Sequence, residues 1–127
     1  IIMLEMYKCS HCGNIVVMAH NSGVPVVCCG EPMNRLEANT VDAAREKHVP
    51  VVNVDGSKVS VRVGSVEHPM MDEHYIELII LETENSLQIR YLKPTDKPES
   101  VFSLADGDKA VAVYEYCNLH GLWKTAL

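Results

Sequence analysis

The sequence predicts an all-β protein in two parts, a small metal-dependent domain over residues 1–37 and a β-sandwich over residues 38–127. Three observations lead there. Four of the five cysteines fall within the first 36 residues, in a stretch with few long apolar runs. Most of the remainder of the 127-residue chain is short β-branched or alternating segments separated by turn residues. Only one brief segment, rich in Ala and charge, has helical character.

Taken in order, residues 1–36 place turn formers at Asn14, Asn21-Ser22-Gly23 and Gly30-Glu31-Pro32. So short a segment buries too little apolar area to fold alone and ordinarily needs a metal or cross-links. Residues 37–39 read as a linker, and residues 40–47 as a helical turn. Pro50 stops that turn, because the residue before a proline, here Val49, is driven into an extended conformation that begins a strand. Lys58-Val59-Ser60-Val61-Arg62-Val63 alternates strictly and puts three valines on one face. Residues 75–82 are β-branched and apolar; residues 86–92, 100–104 and 110–116 read as further strands. Turn signals at Asp55-Gly56, Glu84-Asn85, residues 94–98 and Asp106-Gly107-Asp108 separate them. Strands of this length and spacing suggest a sandwich.

Composition narrows the function. A formal charge of −6 and 6% aromatic residues disfavour a nucleic-acid groove, which would need a basic face. No apolar run approaches the roughly 18 to 20 residues of a membrane span. Residues 1–8 run directly into Cys9 and leave no room for a leader, although a start on Ile suggests that the true amino terminus is not shown. The expectation is a cytoplasmic chain, in which clustered thiols stay reduced and serve as metal ligands rather than disulfides.

Two ligand groups stand out. Cys9-Ser10-His11-Cys12 has the two-residue spacer that brings two sulfurs to one ion, and Gly13 can take the positive φ that closes the turn. The adjacent pair Cys28-Cys29 lacks a spacer and would distort the tetrahedron. A structural zinc ribbon and an iron centre both fit this spacing. The second group is His48, His68, His74, Cys117 and His120. Five donors exceed the four that zinc takes and suit a five-coordinate redox metal with one open position. Taken singly, each histidine is more often a satisfied packing residue than a ligand. Together they sit at the edges of β elements: His48 before the strand at Val49-Pro50, His68 in a stiff His68-Pro69 turn, His74 opening the long strand. Cys117 closes the last strand, with His120 three residues on. Loops at such edges can converge on one end of a sandwich.

Cys9-x-x-Cys12, Cys28-Cys29-Gly30-Glu31-Pro32-Met33, Glu46-Lys47-His48-Val49-Pro50, His68-Pro69-Met70, His74-Tyr75 and Cys117-Asn118-Leu119-His120-Gly121-Leu122-Trp123 together resemble desulfoferrodoxin, the two-iron class of superoxide reductase. The resemblance runs over nearly the whole chain in order. It implies a desulforedoxin-like domain with an Fe(Cys)4 centre on Cys9, Cys12, Cys28 and Cys29. It implies next an immunoglobulin-like sandwich with an Fe(His)4(Cys) centre, His48, His68, His74 and His120 equatorial and Cys117 axial. Two non-haem irons per chain, reduction of superoxide to hydrogen peroxide without oxygen release, a rubredoxin-like electron donor and a homodimer are further implications. Glu46 would then occupy the sixth position of the ferric resting state and displace product, and Lys47 would steer superoxide and organise protonating water.

The residues themselves add detail. Four neutral imidazoles and one thiolate leave a ferrous ion near +1, which attracts an anion without trapping it. Backbone N–H groups of Leu119 and His120 could donate to the Cys117 sulfur and tune it. Glu115 is either a support for Cys117 or a solvent-facing residue on an edge strand. His11 and His20 fall outside the pattern and receive no role. The rival readings are a rubredoxin-like electron-transfer protein, a superoxide dismutase and a zinc-binding interaction module.

Overall fold

The computed structural model describes residues 4–127, so the expectation for residues 1–3 lies outside the described residues. The backbone separates into two compact units, one ending at Glu37 and one formed by Ala38–Leu127.

The first unit holds β1 (Met6–Lys8), β2 (Ile15–Val17), β3 (Val27–Cys28), β4 (Glu31–Pro32) and β5 (Asn34–Arg35). β1 lies between β2 and β5, while β3 and β4 form a separate two-residue pairing. Its buried apolar residues among those described are Leu4, Met6, Cys9 and Met33. That is a very small core, so most of what holds these turns must come from the cysteine cluster.

The second unit opens with α1 (Arg45–His48) and continues through β6 (Pro50–Asp55), β7 (Lys58–Val63), β8 (Ile76–Thr83), β9 (Leu87–Tyr91), β10 (Glu99–Ser103), β11 (Ala110–Cys117) and β12 (Gly121–Ala126). One sheet has the order β10-β7-β6 and the other β12-β11-β8-β9, all antiparallel. Three strands facing four is the count of a constant-type immunoglobulin sandwich. Val59, Val61 and Val63 are buried as their alternation predicts, in one core with Ile76, Ile79, Leu81 and Val113.

Four expectations need correction. The helical turn is confined to Arg45–His48, since Ala44 supplies no side-chain cap and Val49 is already extended at ψ 122° ahead of Pro50. His74 does not open the long strand: it makes an isolated bridge with Met71, and the strand begins at Ile76. The Asn118 side chain occupies the ladder position before it, its Oδ1 accepting the Tyr75 N–H at 2.9 Å. Cys117 ends β11 but not the sheet, because Gly121, at φ 78°, turns the chain back into β12. Asn39 is no free linker residue; it adopts φ 62°, and its side chain exchanges two hydrogen bonds with the Lys124 backbone at 2.9 and 3.2 Å.

Candidate metal centres

The first cluster is built by two tight turns. The Gly13 N–H donates to the Cys9 carbonyl at 3.0 Å with Gly13 at φ 81°, as the spacing predicts. Opposite, Cys29 takes φ 53° and Gly30 φ 77°, the left-handed pair that lets adjacent cysteines face one point. The sulfurs of Cys9, Cys12, Cys28 and Cys29 all lie within 4.8 Å of one another. Cys12 and Cys28 are 3.6 Å apart, close to the roughly 3.8 Å edge of a tetrahedron with 2.3 Å metal–sulfur bonds. Backbone N–H groups of Cys12 and His11 pull the Cys9 thiol down to about 6, while hydrogen bonds with Cys12, Cys9 and Cys28 push Cys29 up to about 12. Four thiols this close cannot all ionise without a cation among them. His11 Nε2 lies 3.0 Å from a Glu31 carboxylate oxygen on the surface, and such an exposed contact contributes little.

The second cluster assembles at one end of the sandwich from three segments: α1 with His48, the β7–β8 connection with His68 and His74, and the β11–β12 turn with Cys117 and His120. The rings of His48, His68, His74 and His120 form a closed cycle of edge-on contacts. Centroids are 4.8 Å apart for His48–His68, 4.7 Å for His68–His74, 5.1 Å for His74–His120 and 4.9 Å for His48–His120, with interplanar angles of 77° to 87°. Four mutually perpendicular neighbours are a propeller around a common point. Nδ1 of His48 meets the Ala44 carbonyl at 2.7 Å, and Nδ1 of His68 meets the Pro69 carbonyl at 2.7 Å. A carbonyl only accepts, so each Nδ1 carries the proton and each Nε2 presents a lone pair. The Nε2 atoms of His68 and His74 are buried without a hydrogen-bond partner among the described residues. Nε2 of His48 lies 3.1 Å from Nδ1 of His120, near the roughly 3.0 Å expected for nitrogens at right angles on a metal 2.1 Å away. The orphaned lone pairs and their spacing fit a metal ion.

Cys117 completes the set. Its sulfur is fully buried, 3.9 Å from Nδ1 of His120, and His48, His74, Cys117 and His120 bring one donor atom each within 4.8 Å of one another. His68 joins them through its contacts with His48 and His74. Burial raises the Cys117 thiol, and the N–H groups of Leu119 and His120 oppose that rise, the donors expected from the Cys-x-x-His loop. His48 and His68 are buried while His74 and His120 are partly exposed, so the cycle reaches solvent on one side.

Around these donors, Glu46 and Lys47 are exposed on α1, and the Lys47 charge is felt at His74, adding to the burial and the His120 charge that lower it. For Glu115 the solvent-facing, edge-strand alternative is ruled out: it lies on β11 between β12 and β8, fully buried, with neither carboxylate oxygen hydrogen-bonded among the described residues. Burial holds its carboxyl well above the usual range. Two supports escape a reading of the sequence. Trp123 stacks on His48 at 4.9 Å and donates to the His120 carbonyl at 3.0 Å, and the Asn118 amide binds the Glu73 carbonyl at 3.1 Å. Their place in the Cys117–Trp123 block was the available signal. A groove of about 870 Å³ lies elsewhere on the sandwich, lined by Val51, Arg62, Arg90, Lys97 and Val101 among others, and includes none of the clustered cysteines or histidines.

The Desulfoferrodoxin family pattern matches residues 40–126, and the pattern of its N-terminal domain matches residues 3–36. The chain belongs to the desulfoferrodoxin family. Its four-cysteine and histidine–cysteine clusters match the family's two iron centres. The desulfoferrodoxin of Syntrophotalea carbinolica is 51% identical over 122 residues, covering 96% of this chain and 95% of that one. That of Nitratidesulfovibrio vulgaris is 51% identical over 120 residues, 94% of each. Among solved structures, the superoxide reductase from Treponema pallidum superposes with a TM-score of 0.82 at 40% identity, covering 98% and 99% of the two chains. A one-iron superoxide reductase from Giardia intestinalis aligns with 65% of this chain and 97% of its own at 31% identity, with a TM-score of 0.58.

Proposed function

We propose that this chain is a superoxide reductase, converting superoxide, one electron and two protons into hydrogen peroxide. The observation that carries this reading is the closed propeller of four imidazoles with Cys117 beside it. A ferrous ion held there by the four imidazoles and Cys117 would supply a one-electron reductant. The protein's own part is to hold donors in place. The Ala44 and Pro69 carbonyls fix the tautomers of His48 and His68, Trp123 braces His48, and amides of Leu119 and His120 temper the Cys117 thiolate. The metal ligands of this reading are His48, His68, His74, His120 and Cys117. Lys47 draws in the anionic substrate, and its field acts within a Debye length despite the net charge of −6. Glu46 is the carboxylate that would serve a bound metal as a further ligand on the exposed side.

Residues 1–37 are, in the same reading, a desulforedoxin-like domain whose Cys9, Cys12, Cys28 and Cys29 hold a second iron. The chain works as a cytoplasmic homodimer and takes its electrons from a rubredoxin-like carrier. The four-cysteine cluster favours one second reading, a rubredoxin-like electron carrier with the histidine cluster idle. Anaerobic purification with iron counted per chain, and then mixing of the ferrous protein with superoxide, separates them. Two irons, rapid oxidation and peroxide without oxygen are expected. Oxygen yield would indicate a dismutase, zinc in place of iron an interaction module, and an unreactive histidine centre the carrier.

A further inference from the structure

We infer that Gly64 is a positioning residue for Glu46 and Lys47, part of a backbone clasp that sets how far these side chains stand from the histidine cluster; this rests on the superoxide reductase reading for the roles of Glu46 and Lys47. Gly64 is buried, and a Cβ built on it would lie 2.5 Å from the Glu46 carbonyl oxygen, 3.0 Å from the Lys47 carbonyl carbon and 3.1 Å from the Glu46 carbonyl carbon. All three neighbours are backbone, and all three distances fall well inside the roughly 3.5–4.0 Å of comfortable contact. Gly64 does not adopt the left-handed φ of the chain's turn glycines; what a side chain would meet there is the close backbone of Glu46 and Lys47.

The same carbonyl is gripped from the other side of the loop. The Val66 N–H donates to the Glu46 oxygen at 2.9 Å and the Ser65 hydroxyl at 3.3 Å, while the Gly64 N–H donates to the Val66 carbonyl at 3.3 Å. A one-turn helix such as Arg45–His48 has no stability of its own, because nucleation costs more than one turn returns. Its placement is therefore imposed, on one side by buried His48 and on the other by the 64–66 loop. That loop also leads into His68, whose N–H donates to the Val63 carbonyl at 2.9 Å. Two ligand-bearing segments thus meet through the missing side chain of Gly64.

The test is Gly64→Ala in the iron-loaded protein, read three ways. Hydrogen exchange by mass spectrometry should show the Val66 amide and the 45–48 segment slowly exchanging in the parent and faster in the variant. The ferric resting spectrum should move in the same direction as that of Glu46→Ala, with both irons retained. Oxidation of the ferrous centre by superoxide should slow about tenfold, the scale expected of a sub-ångström to ångström misplacement. A variant that keeps two irons with unchanged exchange, spectrum and rate overturns the inference. Should Gly64→Ala fail to fold, the parent decides: a Val66 amide exchanging at the rate of a free loop means that there is no clasp. Exchange and spectrum do not need superoxide chemistry, so they stand or fall apart from the proposed activity.

Discussion

At the scale of single residues, the site depends on which atom of each side chain is left free. His48 and His68 spend their Nδ1 protons on backbone carbonyls, and what remains is a pair of lone pairs aimed at one point. Their burial has a cost that pH exposes in the metal-free chain. Burial lowers His68 from 6.5 to about 4 and pushes His48 and His74 the same way. Between those values the unfolded chain takes up protons that the folded chain refuses, so the histidines' contribution to stability is full above about pH 6.5 and is lost as the pH drops toward 4. His68 alone accounts for about 3 kcal/mol. Urea midpoints of the metal-free Glu115→Met protein, in which the opposing titration of that carboxyl is removed, should fall in order at pH 7, 5.5 and 4.5, and a flat series would contradict the buried neutral rings. On the exposed side, Lys47→Ala should slow oxidation of the ferrous centre by superoxide and weaken its salt dependence. Glu46→Ala should leave that rate nearly intact and change the ferric resting spectrum; stopped-flow mixing at several ionic strengths reads both.

At the scale of elements, hairpin ends and one side-chain amide create the convergence. Asn118 bonds the Tyr75 N–H and the Glu73 carbonyl, tying the β11–β12 hairpin to the loop that carries His74. Asn118→Ala should cost about 2 kcal/mol, since it leaves two partners unmet, and should loosen His74 enough to lower iron retention. Chemical denaturation and iron content after dialysis check the two effects separately. Glu115 is the opposite case, a carboxyl in an inner strand with no hydrogen-bond partner among the described residues. Its raised carboxyl favours the folded state only where the group is protonated in both states, and that contribution is lost as pH rises above about 4.5. Glu115→Met should therefore raise the urea midpoint at pH 8, with the gain shrinking toward pH 4. No gain at pH 8 would mean that the carboxylate is stabilised by something beyond its described neighbours.

At the scale of the molecule, the two units differ in what keeps them folded. The sandwich has a continuous core on Val59, Val61, Ile76, Ile79 and Val113. The unit ending at Glu37 buries only Leu4, Met6, Cys9 and Met33 among its described apolar residues. Chelation of iron under reducing conditions should release backbone amides of residues 4–37 to fast hydrogen exchange while β7, β8 and β11 stay protected. Equal loss of protection in both units would show that the sandwich also depends on its metal for folding.

Legibility in the sequence differs by feature. The alternating valines of β7 and the glycine and proline turns are readable because they are local: period-two burial and positive φ leave marks within a few residues. The two ligand groups are readable for the same reason, as Cys-x-x-Cys and Cys-x-x-His spacing is fixed by short turns. β12 escapes such a reading because Gly121-Leu122-Trp123-Lys124-Thr125-Ala126 has little alternation of its own and becomes a strand by pairing with β11. For Glu115 two readings stay open in the sequence, and only the strand order removes the solvent-facing one by putting the residue in the middle of a sheet. Residue types and their local spacing were enough to say which atoms could bind metal and that short strands would carry them. That the imidazoles of residues 48, 68, 74 and 120 face one another was decided by the folded sandwich alone, through long-range strand pairing that no local spacing encodes.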